Sequence, residues 1–122
     1  MFPTLQSAVP HIKSGRLRLL ALTSEKRSPA FPDVPVMEEA GVPGVVAEAW
    51  FGIHAPKGTP KAIVARLQAD AVKTLQDPVV KQRFATEGAD AIGSTPQQFA
   101  QFVANEIAKW TKVVKDGGIK PE

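Results

Sequence analysis

Short alternation in the first half of the chain gives way to helical spacing in the second. From Arg16 to Thr23, charged and apolar residues alternate and the run then becomes fully apolar, which predicts a strand entering a core. A second apolar run at about Ala47 to His54 predicts a second strand, and Ala89 to Gly93 has room for a short third. Upstream, Thr4 or Ser7 can cap a short helix running to Lys13, with Pro10 near its start and Gly15 at its end. Downstream, Thr59 as N-cap and Pro60 at the first position open a helix. Its Ile63, Val64, Leu67, Ala71 and Leu75 form one apolar stripe. Asp77-Pro78 repeats the cap-then-proline device before Val79, Val80, Phe84 and Ala85, and that helix ends near Gly88. Thr95-Pro96-Gln97-Gln98 reads as a capping box. The helix it opens carries Phe99, Phe102, Val103, Ile107, Trp110 and Val114 on one face and ends at Gly117-Gly118.

Between these elements, Pro29, Pro32 and Pro35 make Ser24 to Pro35 an irregular loop, because each lacks an amide hydrogen and restrains its predecessor. Met37 to Ala40 predicts one helical turn closed by Gly41, and Val42 to Val46 a turn around Pro43-Gly44. The fold class expected is α/β. Three short strands then serve four or five helices, and a sheet that small is stable only with partners on its edges. The pattern therefore hints that part of the sheet lies outside this chain. Glu48 to Pro60 is the stretch around which the rest is organised: an apolar run, then Pro56 and Gly58, then a helix start.

Composition narrows the class. The 122 residues are 43% hydrophobic, enough for the core of one domain. The net charge is +3 with the basic residues dispersed, which argues against nucleic acid and permits attraction of acidic small molecules. Without cysteine there is no disulfide, thiol nucleophile or thiolate metal site. No run is long and apolar enough for a membrane span. Met1 to Thr4 lacks the charged and apolar blocks of a signal peptide, leaving a cytoplasmic product, a mature domain or a fragment as the readings.

Candidate chemistry is sparse. His11 and His54 lack the acidic neighbours of a metal site, and each reads as structural. Glu38-Glu39 could be an acid/base pair, but adjacent helical residues do not face each other, so a solvated helix end is the plainer reading. Ser24, Ser28, Ser94 and Thr95 have no nucleophile-elbow context, and Ser94-Thr95 reads as a cap. Neither Gly41-Val42-Pro43-Gly44 nor Gly117-Gly118 matches a phosphate loop. Trp50 and Phe51 are adjacent on a predicted strand and so point to opposite faces, one toward packing and one toward a cleft. No catalytic residue, cofactor or metal is expected.

The run Pro10-His11-Ile12-Lys13-Ser14-Gly15-Arg16-Leu17-Arg18-Leu19-Leu20-Ala21-Leu22-Thr23-Ser24 brings a family into view. It is followed by Arg27, Phe31-Pro32-Asp33-Val34-Pro35 and Glu39-Ala40-Gly41-Val42-Pro43-Gly44. Trp50-Phe51-Gly52, Ala55-Pro56-Lys57-Gly58-Thr59-Pro60 and Glu106-Ile107-Ala108-Lys109-Trp110 complete the pattern. Together these resemble the Bug/TctC family, the extracytoplasmic solute receptors of tripartite tricarboxylate transporters. The resemblance covers essentially the whole chain, but only the C-terminal portion of the family's two-lobed, type II periplasmic-binding-protein architecture.

The resemblance implies that residues 1–47 end the second lobe, 48–60 form a crossover strand and hinge, and 61–122 complete the first lobe. It implies a periplasmic location, a small carboxylate ligand and a membrane transporter complex as partner. Phe2, Pro3 and Thr4, at the strand end preceding the Pro-His-Ile-Lys helix, are implied to reach the cleft, with Trp50 and Phe51 at its wall. Some relatives carry Asp at the position of Pro3, where it can meet an amino group, so Pro3 points to a plain carboxylate. Rival readings are an enzyme domain using His11, His54 or Glu39, and a structural module without ligand. Unpaired edges further predict a homo-oligomer, most simply a two-fold dimer that exchanges halves about the Glu48–Pro60 hinge.

Overall fold

The computed structural model describes residues 1–120 and places four helices in chain order. They are α1 (Leu5–Lys13), α2 (Lys61–Gln76), α3 (Pro78–Thr86) and α4 (Pro96–Asp116). Between α1 and α2 the chain runs through turns and irregular backbone for residues 14–60.

Thr4 caps α1, its hydroxyl accepting the Ser7 amide at 3.4 Å. Because the cap is Thr4 rather than Ser7, Pro10 falls inside the helix and not near its start. Pro10 has no N–H to offer the preceding turn, and the helix stays short. Its end is closed by Gly15 at φ +72°, with the amides of Arg16 and Leu17 both donating to the His11 carbonyl at 2.9 and 3.1 Å.

The three predicted strands are not strands among the described residues, and the α/β expectation is not met as paired sheet. One parallel bridge, Leu22 with Val36, is the strand pairing present among the described residues. Leu22 donates to Pro35 O at 2.9 Å and accepts from the Met37 amide at 2.8 Å. Beside it, Thr23 Oγ1 donates to Ala47 O at 2.6 Å and the Ala47 amide returns to Thr23 O at 2.9 Å. Among the described residues, 18–21 and 48–54 make no backbone-to-backbone hydrogen bond. Residues 90–93 end in Gly93 at φ +63° and make no backbone-to-backbone hydrogen bond among the described residues. A strand exists only by pairing, and apolar content alone cannot supply a neighbour.

Met37 to Ala40 forms the single helical turn expected, closed by the i→i−4 bond from Ala40 N to Val36 O at 3.0 Å, with Val42 N to Met37 O at 2.9 Å and Gly41 at φ +86° ending it. Glu39 is exposed, as a solvated position should be, but its carboxylate is also anchored. Its Oε2 accepts from the Val36 amide at 3.0 Å and from Arg27 Nε at 2.8 Å, while Arg27 also donates to Pro32 O at 2.9 Å. One carboxylate thus ties the proline-rich loop to the turn that follows it.

Thr59 does not cap α2. Its hydroxyl donates backward to Pro56 O at 2.8 Å, Pro60 keeps an extended ψ of 137°, and the helix begins at Lys61. The better-covered face of α2 carries Val64, Gln68, Ala71, Val72 and Leu75, whereas Ile63 and Leu67 are 51% and 54% exposed. Asp77 caps α3 as expected, its Oδ1 accepting from Val79 and Val80 at 2.8 and 3.3 Å. The capping box of α4 is complete: Gln98 N reaches Thr95 Oγ1 at 3.2 Å and Thr95 N reaches Gln98 Oε1 at 2.9 Å.

The buried core among the described residues is Ala8, Val9, Leu22 and Val36, all in the first half of the chain. The N-terminal segment meets the C-terminal half where Leu5 covers Gly88: a Cβ there would lie 2.8 Å from the Leu5 side chain. The accessible surface is 9950 Å². A compact monomer of 13.1 kDa exposes about 6,400 Å². Much of the apolar stripe of α2, α3 and α4 is therefore open to solvent.

Candidate functional site

Residues 48–54 leave the bridge region and cross to α4, where an aromatic cluster receives them. The Trp50 indole meets Phe99 and Phe102 edge-on at centroid distances of 5.7 and 5.3 Å. The rings of Phe99 and Phe102 lie nearly parallel, 6.4 Å apart, as expected for an i, i+3 pair. The His54 ring sits 5.1 Å from Phe99 at 51°. Gly52 allows this approach, since a Cβ there would fall 2.0 Å from the tip of Phe99.

One helical turn onward, Glu106 anchors the same face. Its carboxylate pairs with Lys109 and accepts the Trp110 indole N–H at 2.9 Å, and its side chain is only 13% exposed. Lys109 Nζ also lies 5.2 Å from the Trp110 ring centroid. The Lys109 hydrogen bond, then that of Trp110, holds the Glu106 carboxyl below its ordinary value against the opposing effect of burial, and the Trp50 indole adds a smaller pull in the same direction. Glu39 is likewise held low, first by Arg27 and then by the Val36 amide.

The residues expected at a ligand cleft are not brought into one pocket. Trp50 is half-covered by the α4 rings, Phe51 is 85% exposed, Phe2 is 81% exposed, and Thr4 is engaged as the cap of α1. Two open grooves lie elsewhere, one along Ile107, Trp110, Val114 and Ile119, the other along Val79, Arg83 and Thr86. Among the described residues no cluster of three or more His, Asp or Glu is placed to hold a metal ion, and no helix is long and apolar enough to cross a membrane. Ser24 Oγ donates to Lys26 O at 2.7 Å and Ser28 Oγ accepts from Ala30 N at 3.3 Å, so both hydroxyls serve their own turns. The sequence places Glu106 in the family pattern without giving it a role. Its spacing of three and four residues to Lys109 and Trp110 was a usable signal.

The profile of the tripartite tricarboxylate transporter family receptor, TctC, matches residues 1–119. The chain belongs to this family. Protein BugT of Bordetella pertussis is 42% identical over 116 residues, covering 95% of this chain and 36% of BugT. The UPF0065 protein in the gbd 5′ region of Cupriavidus necator is 36% identical over 110 residues, which is 33% of its length. The chain thus spans about a third of these curated relatives. Among solved structures, the periplasmic binding protein BugD superposes with a TM-score of 0.84 at 32% identity, over 94% of this chain and 39% of BugD. MatC of Rhodopseudomonas palustris with bound malate superposes at 0.76 with 37% identity, over 90% and 38%. These TctC relatives are receptors and binding proteins rather than enzymes, and the superpositions match this chain to part of a periplasmic-binding-protein fold.

Proposed function

We propose that this chain serves in binding a small carboxylate solute and presenting it to a tripartite membrane transporter in the periplasm. The observation that carries this reading is the 37% identity and 0.76 TM-score to a malate-bound receptor. The net charge of +3 favours an acidic solute. In this reading residues 1–47 belong to the second lobe, 48–60 to the crossover, and 61–122 to the first lobe. Phe2, Pro3 and Thr4 approach the ligand from one side, Trp50 and Phe51 from the other. The uncharged Pro3 suits a plain carboxylate better than an amino acid. The exposed Phe51 ring, beside a Trp50 held by α4, is the surface left to meet a solute.

A second reading is a module that assembles without ligand, favoured by the 9950 Å² surface. Titration calorimetry with malate and with di- and tricarboxylates separates the two. Saturable heat that weakens on Phe51→Ala is the expected result. The absence of heat with every acid tested would overturn the receptor reading for this chain.

A further inference from the structure

The crossover segment docks on α4 by alternate residues. Trp50 meets Phe99 and Phe102, Gly52 admits the Phe99 ring, and His54 sits against that same ring. Phe51 and Ile53, between them, are each 85% exposed, the alternation that extended backbone produces. Ring packing holds the two pieces together, but apolar contact is non-directional. This face of α4 continues through Val103, Ile107 and Trp110, so packing alone does not say where along the helix Trp50 should rest.

Glu106 supplies the missing direction. It lies one turn beyond Phe102 on α4, with its side chain largely covered. A carboxylate so placed needs donors around it. Lys109 and Trp110 reach it from its own helix, at i+3 and i+4. The Trp50 indole acts on it from the crossover. All three hold the carboxyl below its ordinary value, Lys109 first, then Trp110, and Trp50 least. Two indoles from different parts of the chain thus converge on one anion. An acceptor of fixed position selects one register where an apolar stripe permits several.

Resting on the receptor reading above, we propose that Glu106 is a positioning residue for solute binding: it fixes where the crossover seats on α4, and so where Trp50 and Phe51 stand at the cleft wall. It acts through Trp50 rather than by touching the solute.

The two tryptophans make this testable by nuclear magnetic resonance. An isotope-labelled chain gives one indole N–H cross-peak for each, assigned with Trp50→Phe and Trp110→Phe. Glu106→Leu keeps apolar bulk and removes the acceptor. Both cross-peaks should move and exchange faster with solvent, and malate should bind about tenfold more weakly in calorimetry. Glu106→Gln keeps an acceptor oxygen at the same reach, so it should return the Trp50 cross-peak toward its original position and recover most of the affinity. If far-UV circular dichroism shows Glu106→Leu to lose its helices, Glu106→Asp replaces it, keeping the charge and losing the reach. A Trp50 cross-peak that stays while that of Trp110 moves overturns the proposal and leaves Glu106 a staple of its own helix. Movement of both with malate affinity unchanged overturns the positioning role. No heat from malate with the unmutated chain counts against the receptor reading instead, and the Trp50 cross-peak still decides whether Glu106 sets the register.

Discussion

The Trp50 indole stands edge-on to Phe102 with planes at 85° and centroids 5.3 Å apart, and this contact ties the crossover segment to α4. Edge-to-face pairs add about 0.5–1.5 kcal/mol beyond area burial. Phe102 is itself 39% exposed, so Phe102→Ala should cost about 1–2 kcal/mol, below the 3–5 of a buried phenylalanine. Urea unfolding gives the loss, and a red shift of tryptophan emission in the folded variant would place it at Trp50. An unchanged midpoint would mean the crossover segment is not held by α4.

Gly52 and Gly58 should fail for different reasons when replaced by alanine. At Gly52 the new methyl meets the Phe99 ring, and overpacking of this kind costs about 1–3 kcal/mol. Trimming the obstacle with Phe99→Ala should recover part of that loss in a double-mutant cycle. At Gly58 nothing lies near the added carbon, but φ is +88°, so the strain is in the backbone, of order 1–3 kcal/mol. No second-site trimming should relieve it.

Thr95→Ala and Thr59→Ala form a paired test of capping. Thr95 accepts the Gln98 amide, so its loss should lower stability by about 1 kcal/mol. Thr59 bonds only a loop carbonyl and leaves the first turn of α2 uncapped already. Its replacement should cost less than half as much, measured by thermal or urea unfolding. Equal losses would show that Thr59 caps α2 in solution.

Glu39 and Glu106 make stability fall at acid pH. Both carboxyls are held below the ordinary value of 4.5 in the folded chain. A group depressed on folding binds its proton more readily when unfolded. Its contribution is therefore present above pH 4.5 and is lost as pH falls through the lower folded value. Thermal midpoints should drop below pH 4.5, and Glu39→Gln with Glu106→Gln should flatten that part of the profile. An equally steep profile in the double variant would assign the acid sensitivity to other groups.

What could be read from the sequence was what is local. Asp77 and Thr95 announced their helices because a cap and its amides lie within three residues. The family pattern was equally plain, being a matter of order along the chain. The strands were misread because alternation at Arg16-Leu17-Arg18-Leu19 reports that a backbone suits pairing, not that a partner is beside it. Thr59 looked like a cap by type, yet Pro56 offered its hydroxyl a nearer acceptor. The Arg27–Glu39 tie spans twelve residues of irregular chain, where no periodicity links the two ends. The part of the candidate site that was legible, Trp50 beside Phe51, said nothing of which ring would face α4.

The two hydrogen bonds exchanged by Thr23 and Ala47 close a long excursion at its base. The Leu22–Val36 bridge divides that excursion in two, and the Arg27–Glu39 pair stiffens only the first half. The second half turns at Gly44, with Val42, Val45 and Val46 exposed around it. For a loop clamped at its base, doubling the length adds only about 0.6 kcal/mol of closure entropy. Residues 42–46 are thus where this chain can take up inserted sequence, or a genetically encoded tag, with the least disturbance to its folding.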